Sequence, residues 1–365
     1  MRIAQIAPLW ERVPPFRYGG IELIVNLLTE ELVRRGHEVT LFASGDSLTT
    51  AQLHSVHDRA LRLDEQIKEP GVYEQLILSR VYHQAEQFDV IHSHVGCIAL
   101  PYCELVKTPT LHTLHGIFTA DSEKLFQEFA TQAFVSISDA QRRPQPGLNY
   151  IHTVYNSIDL DVYPFFEKPA EPAYLAFVGR MSPEKGPKEA IEIARATGYP
   201  LKMAGKIDPV DRSYYDEQLK PLIDGKQIQY LGEVSHEEKA ELLGNASVTL
   251  FPITWREPFG LVMIESMATG TPVVAMGLGS VPEVIAHGKT GFVCDSLEQL
   301  VAAVSDTMKL DRTLCRDYVV NRFSIKTMVD EYERCYEMLL GRGTDSSATG
   351  RSPVTYTKKL LTTHN

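Results

Sequence analysis

The segment from Arg256 to Ala275, REPFGLVMIESMATGTPVVA, sets two glutamates, Glu257 and Glu265, among apolar, small and turn-forming residues. A carboxylate beside Leu261, Val262, Met263 and Ile264 is buried only with a polar partner, because desolvating a charge costs more than one side chain's apolar burial returns. Pro258 and Gly260 mark a passage from loop to helix. The amides of Phe259, Gly260 and Leu261 then lack intrahelical acceptors and favour an anionic or hydroxyl-rich ligand. Were the whole segment helical, the glutamates would stand roughly 12 Å apart along the axis. They would address different parts of a ligand, unlike the facing carboxyl pair of a hydrolase.

A second group lies in AYLAFVGRMSPEKGPKEAIEIARATG, where Arg180 closes a strand and Lys185 precedes a helix opened by Gly186 and Pro187. Two cations at the carboxyl end of a parallel strand, beside a helix N-terminus, suit a diphosphate. A solvated basic loop is the simpler alternative. His92 and His94 alternate onto one strand face, with His112 and His115 following, a grouping open to two readings: metal ligands, or hydrogen bonding near strand ends. No carboxylate completes a recognisable ligand spacing, so no metal site is expected.

These groups need a scaffold. In the first half, RIAQIAP, HEVTLFAS, FDVIHSHV, TPTLHTLHG, AFVSISDA and IHTVYNSID read as strands, with a helix over Ile21 to Arg35 that Gly36 stops. Short apolar runs alternating with amphipathic stretches indicate βαβ units and a parallel sheet covered on both faces. The proline-rich YPFFEKPAEPAY is a join, after which the alternation restarts in AYLAFVGR, YPLKMAGK, IQYLGEV, SVTLFPI, TPVVAMG and GFVCD. The expected organisation is an α/β chain of two doubly wound, Rossmann-like domains, residues 1–165 and 166–324, facing a central cleft. A helix over 325–341 has one apolar face that needs a surface, and 342–365 is expected to be a mobile tail.

Composition narrows the function. The 365 residues are 44% hydrophobic and 23% charged, as in an ordinary globular chain, and the net charge of −11 disfavours nucleic acid as a partner. Five scattered cysteines without a CxxC pair suggest neither a disulfide framework nor a zinc site. No apolar run approaches the roughly 20 residues of a membrane span. A cytoplasmic protein is expected, at most peripheral on the cytoplasmic face of a membrane.

VGRMSPEKG, EPFGLVMIESMATGTPVVA and VPEVIAHGKTGFVCD, with YGGIE, HTLHG and VYNSID in the first half, together resemble the retaining family 4 glycosyltransferases of the GT-B fold. The resemblance implies that the second domain holds a nucleotide-sugar donor and the first an acceptor. Arg180 and Lys185 would hold the donor diphosphate, Glu265 the ribose hydroxyls, and Glu257 the hydroxyls of the transferred sugar, helped by the amides of Phe259, Gly260 and Leu261. Gly19 and Gly20 would let the first-domain backbone approach the phosphates, and His115 would sit near the reacting sugar. The expected donor is UDP-glucose, with GDP-mannose second, the acceptor a glycan, lipid-linked or small molecule. Neither cofactor nor metal is expected. Asp159 and Asp161 form a DxD pattern that another glycosyltransferase fold uses for a cation, but here it falls at the domain join, where aspartates serve turns. Trp255 and Arg256 depart from the commoner family pattern, in which a small residue often precedes the first glutamate. The alternatives are a GT-B UDP-sugar epimerase and a sugar-nucleotide-binding protein without turnover.

Overall fold

In a computed structural model that describes residues 1–16 and 19–342, the chain builds two parallel sheets. The expected mobile tail lies, beyond Arg342, outside the described residues. The first sheet contains β1 (Arg2–Ile6), β2 (Glu38–Phe42), β3 (Gln52–His54), β4 (Val90–Ser93), β5 (Thr110–Leu114), β6 (Ala133–Ser136) and β7 (Tyr150–Thr153) in the order β3-β2-β1-β4-β5-β6-β7. The second contains β8 (Leu175–Val178), β9 (Leu201–Ala204), β10 (Ile228–Tyr230), β11 (Val248–Phe251), β12 (Val273–Met276) and β13 (Gly291–Cys294) in the order β10-β9-β8-β11-β12-β13. β4, β5, β6 and β11 are buried along their whole length, as a sheet with helices on both faces requires.

In each sheet the winding reverses beside the first strand: β1 pairs with β2 and β4, and β8 with β9 and β11. Loops that leave such a reversal in opposite directions open a crevice at the carboxyl ends of the strands. The doubly wound architecture expected from the alternating pattern is therefore present in both halves.

The Gly20–Arg34 helix buries Ile24, Leu27, Leu28 and Leu32 in the core of the first sheet. The same core takes Met328, Val329, Tyr332, Cys335 and Tyr336 from the Ile325–Leu339 helix, which follows the second domain in sequence. Arg35 fixes this return by pairing with Asp330 at 2.8 Å and Glu333 at 2.5 Å, and His37 meets Glu333 at 2.7 Å. All five cysteines are free thiols. Among the described residues no helix is long and apolar enough to cross a membrane.

Candidate functional site

A cavity of about 560 Å³ lies between the carboxyl ends of the two sheets. From the first domain Gly19, Gly20 and His115 line it, and from the second Arg180, Lys185, Glu257, Phe259, Gly260, Leu261 and Glu265. Residues spread over most of the chain thus meet on the walls of one cleft.

The second-domain wall begins where β8 ends. Arg180 follows that strand, and its guanidinium is paired with Glu184 and, at 3.3 Å, with Asp208. Gly186 then takes φ 74°, and a Cβ there would stand 2.0 Å from the carbonyl oxygen of Pro252. Only glycine lets the Lys185 turn press against the end of β11 in this way. Lys185 Nζ is 2.5 Å from Glu257 Oε2, to which the Trp255 indole also donates at 2.9 Å.

The helix of this wall runs over Leu261–Ala268, with Gly260 at its N-cap. Glu257 therefore lies in the preceding loop, and only Glu265 is helical. Glu265, buried to 3% exposure, receives Lys239 Nζ at 2.6 Å and the Tyr163 hydroxyl at 2.8 Å on Oε1. Each buried glutamate of the EPFG segment has thus found a lysine and an aromatic donor. Those partners, Lys239, Tyr163 and Trp255, were not among the expected site residues. Trp255 was legible as the departure from the family pattern, whereas nothing local marks Lys239 or Tyr163.

On the first-domain wall Gly19 has φ 145°, and a Cβ there would lie 2.7 Å from Pro15 Cβ. Gly20 opens the Gly20–Arg34 helix, and a Cβ on it would touch Leu261 Cδ1 at 3.4 Å. The glycine turn and the start of the Leu261 helix therefore face each other across the cleft. Glu22 also lines the cavity. Burial pushes its carboxyl up to about 7, outweighing the helix N-terminus beside it. Sequence reasoning missed this residue, although it ends the YGGIE motif.

The histidines are linked by hydrogen bonds. His92 meets Tyr336 and Thr113, each at 2.8 Å, and His94 meets Gln5 and His115, each at 2.9 Å. Burial pushes His112 and His115 down to about 3 and lowers His92 and His94 as well, so the rings are neutral. Of the two readings, hydrogen bonding near strand ends describes this arrangement. No group of three or more potential ligands placed to hold a metal occurs among the described residues. Asp159 accepts the amide of Asp161 at 3.0 Å in a turn, and neither aspartate lines the cleft.

Two further contacts set the spacing of the walls. Ser138, beyond β6, donates to the carbonyl of Pro258 at 2.7 Å. Glu283, on the Val281–Val284 turn of the second domain, accepts the amides of Asp139 at 2.8 Å and Ala140 at 2.7 Å. Ser280, in the same segment, donates its amide to the carbonyl of Glu257 at 3.0 Å. The loop carrying Glu257 is therefore tied directly to the first domain.

Residues 163–321 match the family model described as glycosyl transferases group 1, and residues 18–162 match Glycosyltransferase Family 4. The chain is 26% identical over 346 residues to a glycogen synthase of Mycobacterium tuberculosis, an alignment covering 80% of this chain and 82% of that protein. Among solved structures it is similar to AviGT4, a glycosyltransferase involved in avilamycin A biosynthesis, with 25% identity, a TM-score of 0.70 and coverage of 94% and 98% of the two chains. It also shares its fold with Anabaena HepE in complex with UDP-glucose, at 17% identity, a TM-score of 0.71 and coverage of 93% and 100%.

Proposed function

We propose that the chain, whose halves match the models Glycosyltransferase Family 4 and glycosyl transferases group 1 and which has the GT-B fold, is a glycosyltransferase that moves a hexose from a nucleoside diphosphate to an acceptor hydroxyl with retention of configuration. The donor is a UDP-sugar, UDP-glucose first, and the runner-up is GDP-mannose. One observation carries this reading: Arg180, Lys185 and the helix start at Leu261 converge on the same cavity as Glu257, Glu265 and the Gly19–Gly20 turn. Cations and free amides suit the diphosphate, and buried carboxylates suit ribose and sugar hydroxyls.

In this reading Lys185 exchanges its contact with Glu257 for a donor phosphate oxygen, which frees Glu257 to accept from sugar hydroxyls. Glu265, held on Oε1, offers Oε2 to the ribose. As the bond between the anomeric carbon and the phosphate oxygen breaks, its electron pair passes to the diphosphate, where Arg180 and Lys185 stabilise the charge. The acceptor oxygen forms the new bond on the same face, and its proton goes to the departing phosphate. No metal is needed, because these cations and the helix amides already compensate the diphosphate.

Thermal stabilisation by a panel of nucleotide sugars tests the donor. A ligand at 100 times its dissociation constant adds about 2.7 kcal/mol, and UDP-glucose is expected to stabilise most. Transfer to an acceptor, with the anomer read by NMR in excess EDTA, tests the reaction. No stabilisation by any UDP- or GDP-sugar would refute the donor site. An epimerised sugar nucleotide formed without an acceptor would point instead to an epimerase, and activity lost in EDTA and restored by manganese would overturn metal independence.

A further inference from the structure

Gln5, on β1, stands at the branch point of a buried hydrogen-bond chain that ends on His115. Its Oε1 is 2.9 Å from His94 Nε2, and its Nε2 is 3.1 Å from the Tyr336 hydroxyl. A carbonyl oxygen only accepts, so His94 carries its hydrogen on Nε2. Burial keeps His94 neutral, which leaves its Nδ1 bare, and that nitrogen lies 2.9 Å from His115 Nε2. His115 therefore carries its hydrogen on Nε2 and its lone pair on Nδ1. Along the other branch the Gln5 amide donates to the Tyr336 hydroxyl at 3.1 Å, which lies 2.8 Å from His92 Nδ1, and His92 Nε2 lies 2.8 Å from the Thr113 hydroxyl. On the His94–His115 branch every link has one donor and one acceptor, and its polarity follows from the orientation of a single amide.

We propose that Gln5 and His94 are positioning residues that lock His115 as the Nε2–H tautomer, so that Nδ1 serves as an acceptor for a ligand hydroxyl in the cleft. The hydroxyl's identity rests on the nucleotide-sugar reading above, whereas the tautomer is a property of the free protein. The bond to His94 also holds the ring in one orientation. Tyr336 connects this lock to the terminal helix, which thereby reaches the cleft through side chains as well as through packing.

The test is the nitrogen spectrum of histidine-labelled full-length protein, with His115 assigned by its loss in His115→Gln. The expected result is a protonated Nε2 and a bare Nδ1 in the free protein. UDP-glucose, with binding confirmed by thermal shift, should move the Nδ1 resonance and leave Nε2 protonated. Gln5→Met should release the lock, giving mixed tautomers at His115 and transfer lowered about tenfold, the worth of one hydrogen bond. A protonated Nδ1 in the free wild type overturns the proposal, a result that needs no variant to fold. An Nδ1 resonance unmoved by bound UDP-glucose overturns the acceptor role. Failure of nucleotide sugars to bind would instead overturn the reading of the cleft, with the tautomer still decided by the free spectrum.

Discussion

At the scale of single residues, the cleft pairs every buried carboxylate of the EPFG segment with a cation, and the predictions follow from what each pair does during transfer. Lys185→Ala should lower the rate roughly a hundredfold to a thousandfold, the order found when a preorganised charge stabiliser is removed. Single-turnover rates at saturating donor are the measurement, and near-normal turnover would exclude Lys185 from stabilising the leaving group. Glu265→Ala should weaken donor binding more than turnover, because ribose contacts change little between ground and transition states. An unchanged nucleotide dissociation constant would contradict the ribose assignment. Glu22 differs, since burial is the largest influence on it and outweighs the backbone hydrogen bonds that oppose it: its carboxyl rises from 4.5 to about 7. A folded pKa above the unfolded one gives stability that is present below pH 4.5 and lost as pH rises through 7, on the order of 3 kcal/mol. Glu22→Gln should therefore match the wild type in melting temperature at pH 5 and exceed it at pH 8. Equal melting temperatures at both pH values would show that Glu22 ionises as an ordinary surface carboxylate.

At the scale of elements, the site depends on loops that face each other because of contacts remote in sequence. Glu283 and Asp139 are 144 positions apart, yet the carboxylate of one accepts the amide of the other. Removing that carboxylate leaves two amides without their charged acceptor, at about 1.5–3 kcal/mol for a hydrogen bond to a charged group. Glu283→Ala should loosen cleft closure and raise donor hydrolysis relative to transfer, since water exclusion depends on that closure. The ratio of free sugar to transferred product measures it, and an unchanged ratio would confine Glu283 to structure. Most of the strands that carry these loops were legible as short apolar runs between turn signals. The exception is β3, Gln52–His54, a short edge strand in which glutamine and histidine flank one leucine. Such a segment has no apolar alternation to read, because pairing with β2 rather than burial of a face defines it. The start of the Leu261 helix was legible because Pro258 and Gly260 are local signals. The latch was not, because Glu283 gains its meaning only when two domains dock.

At the scale of the whole molecule, a helix that follows the second doubly wound domain returns to the core of the first, and the cleft's chemistry is set where the two domains meet. The motifs named part of the cleft lining, but not Glu22 or Lys239 nor the pairs formed there, since Lys239, Tyr163 and Gln5 carry no local mark. The same burial that makes the cleft places His92, His94, His112 and His115 where charge is opposed, with His112 and His115 down to about 3. In the unfolded chain these rings titrate near 6.5. Folded values below unfolded ones mean that the unfolded chain binds more protons at pH 5, so stability rises with pH across this range. Their contribution is complete above about 6.5 and is lost as the pH falls toward 3. Glu22 acts in the opposite direction between 4.5 and 7, and burial also raises Glu11 and Asp211, but all four imidazoles of the cluster are lowered, so the histidines prevail. Carboxylates held low by cations, such as Glu31 beside Arg34 and Asp330 beside Lys326 and Arg35, add to acid sensitivity only further down the scale. The melting temperature should therefore fall from pH 7 to pH 5, and unfolding at pH 5.5 should take up protons, measurable as buffer-dependent heats in calorimetry. A melting temperature that is flat or rising over that interval would mean that the histidines accept protons within the folded protein, and the neutral chain ending at His115 would fall with it.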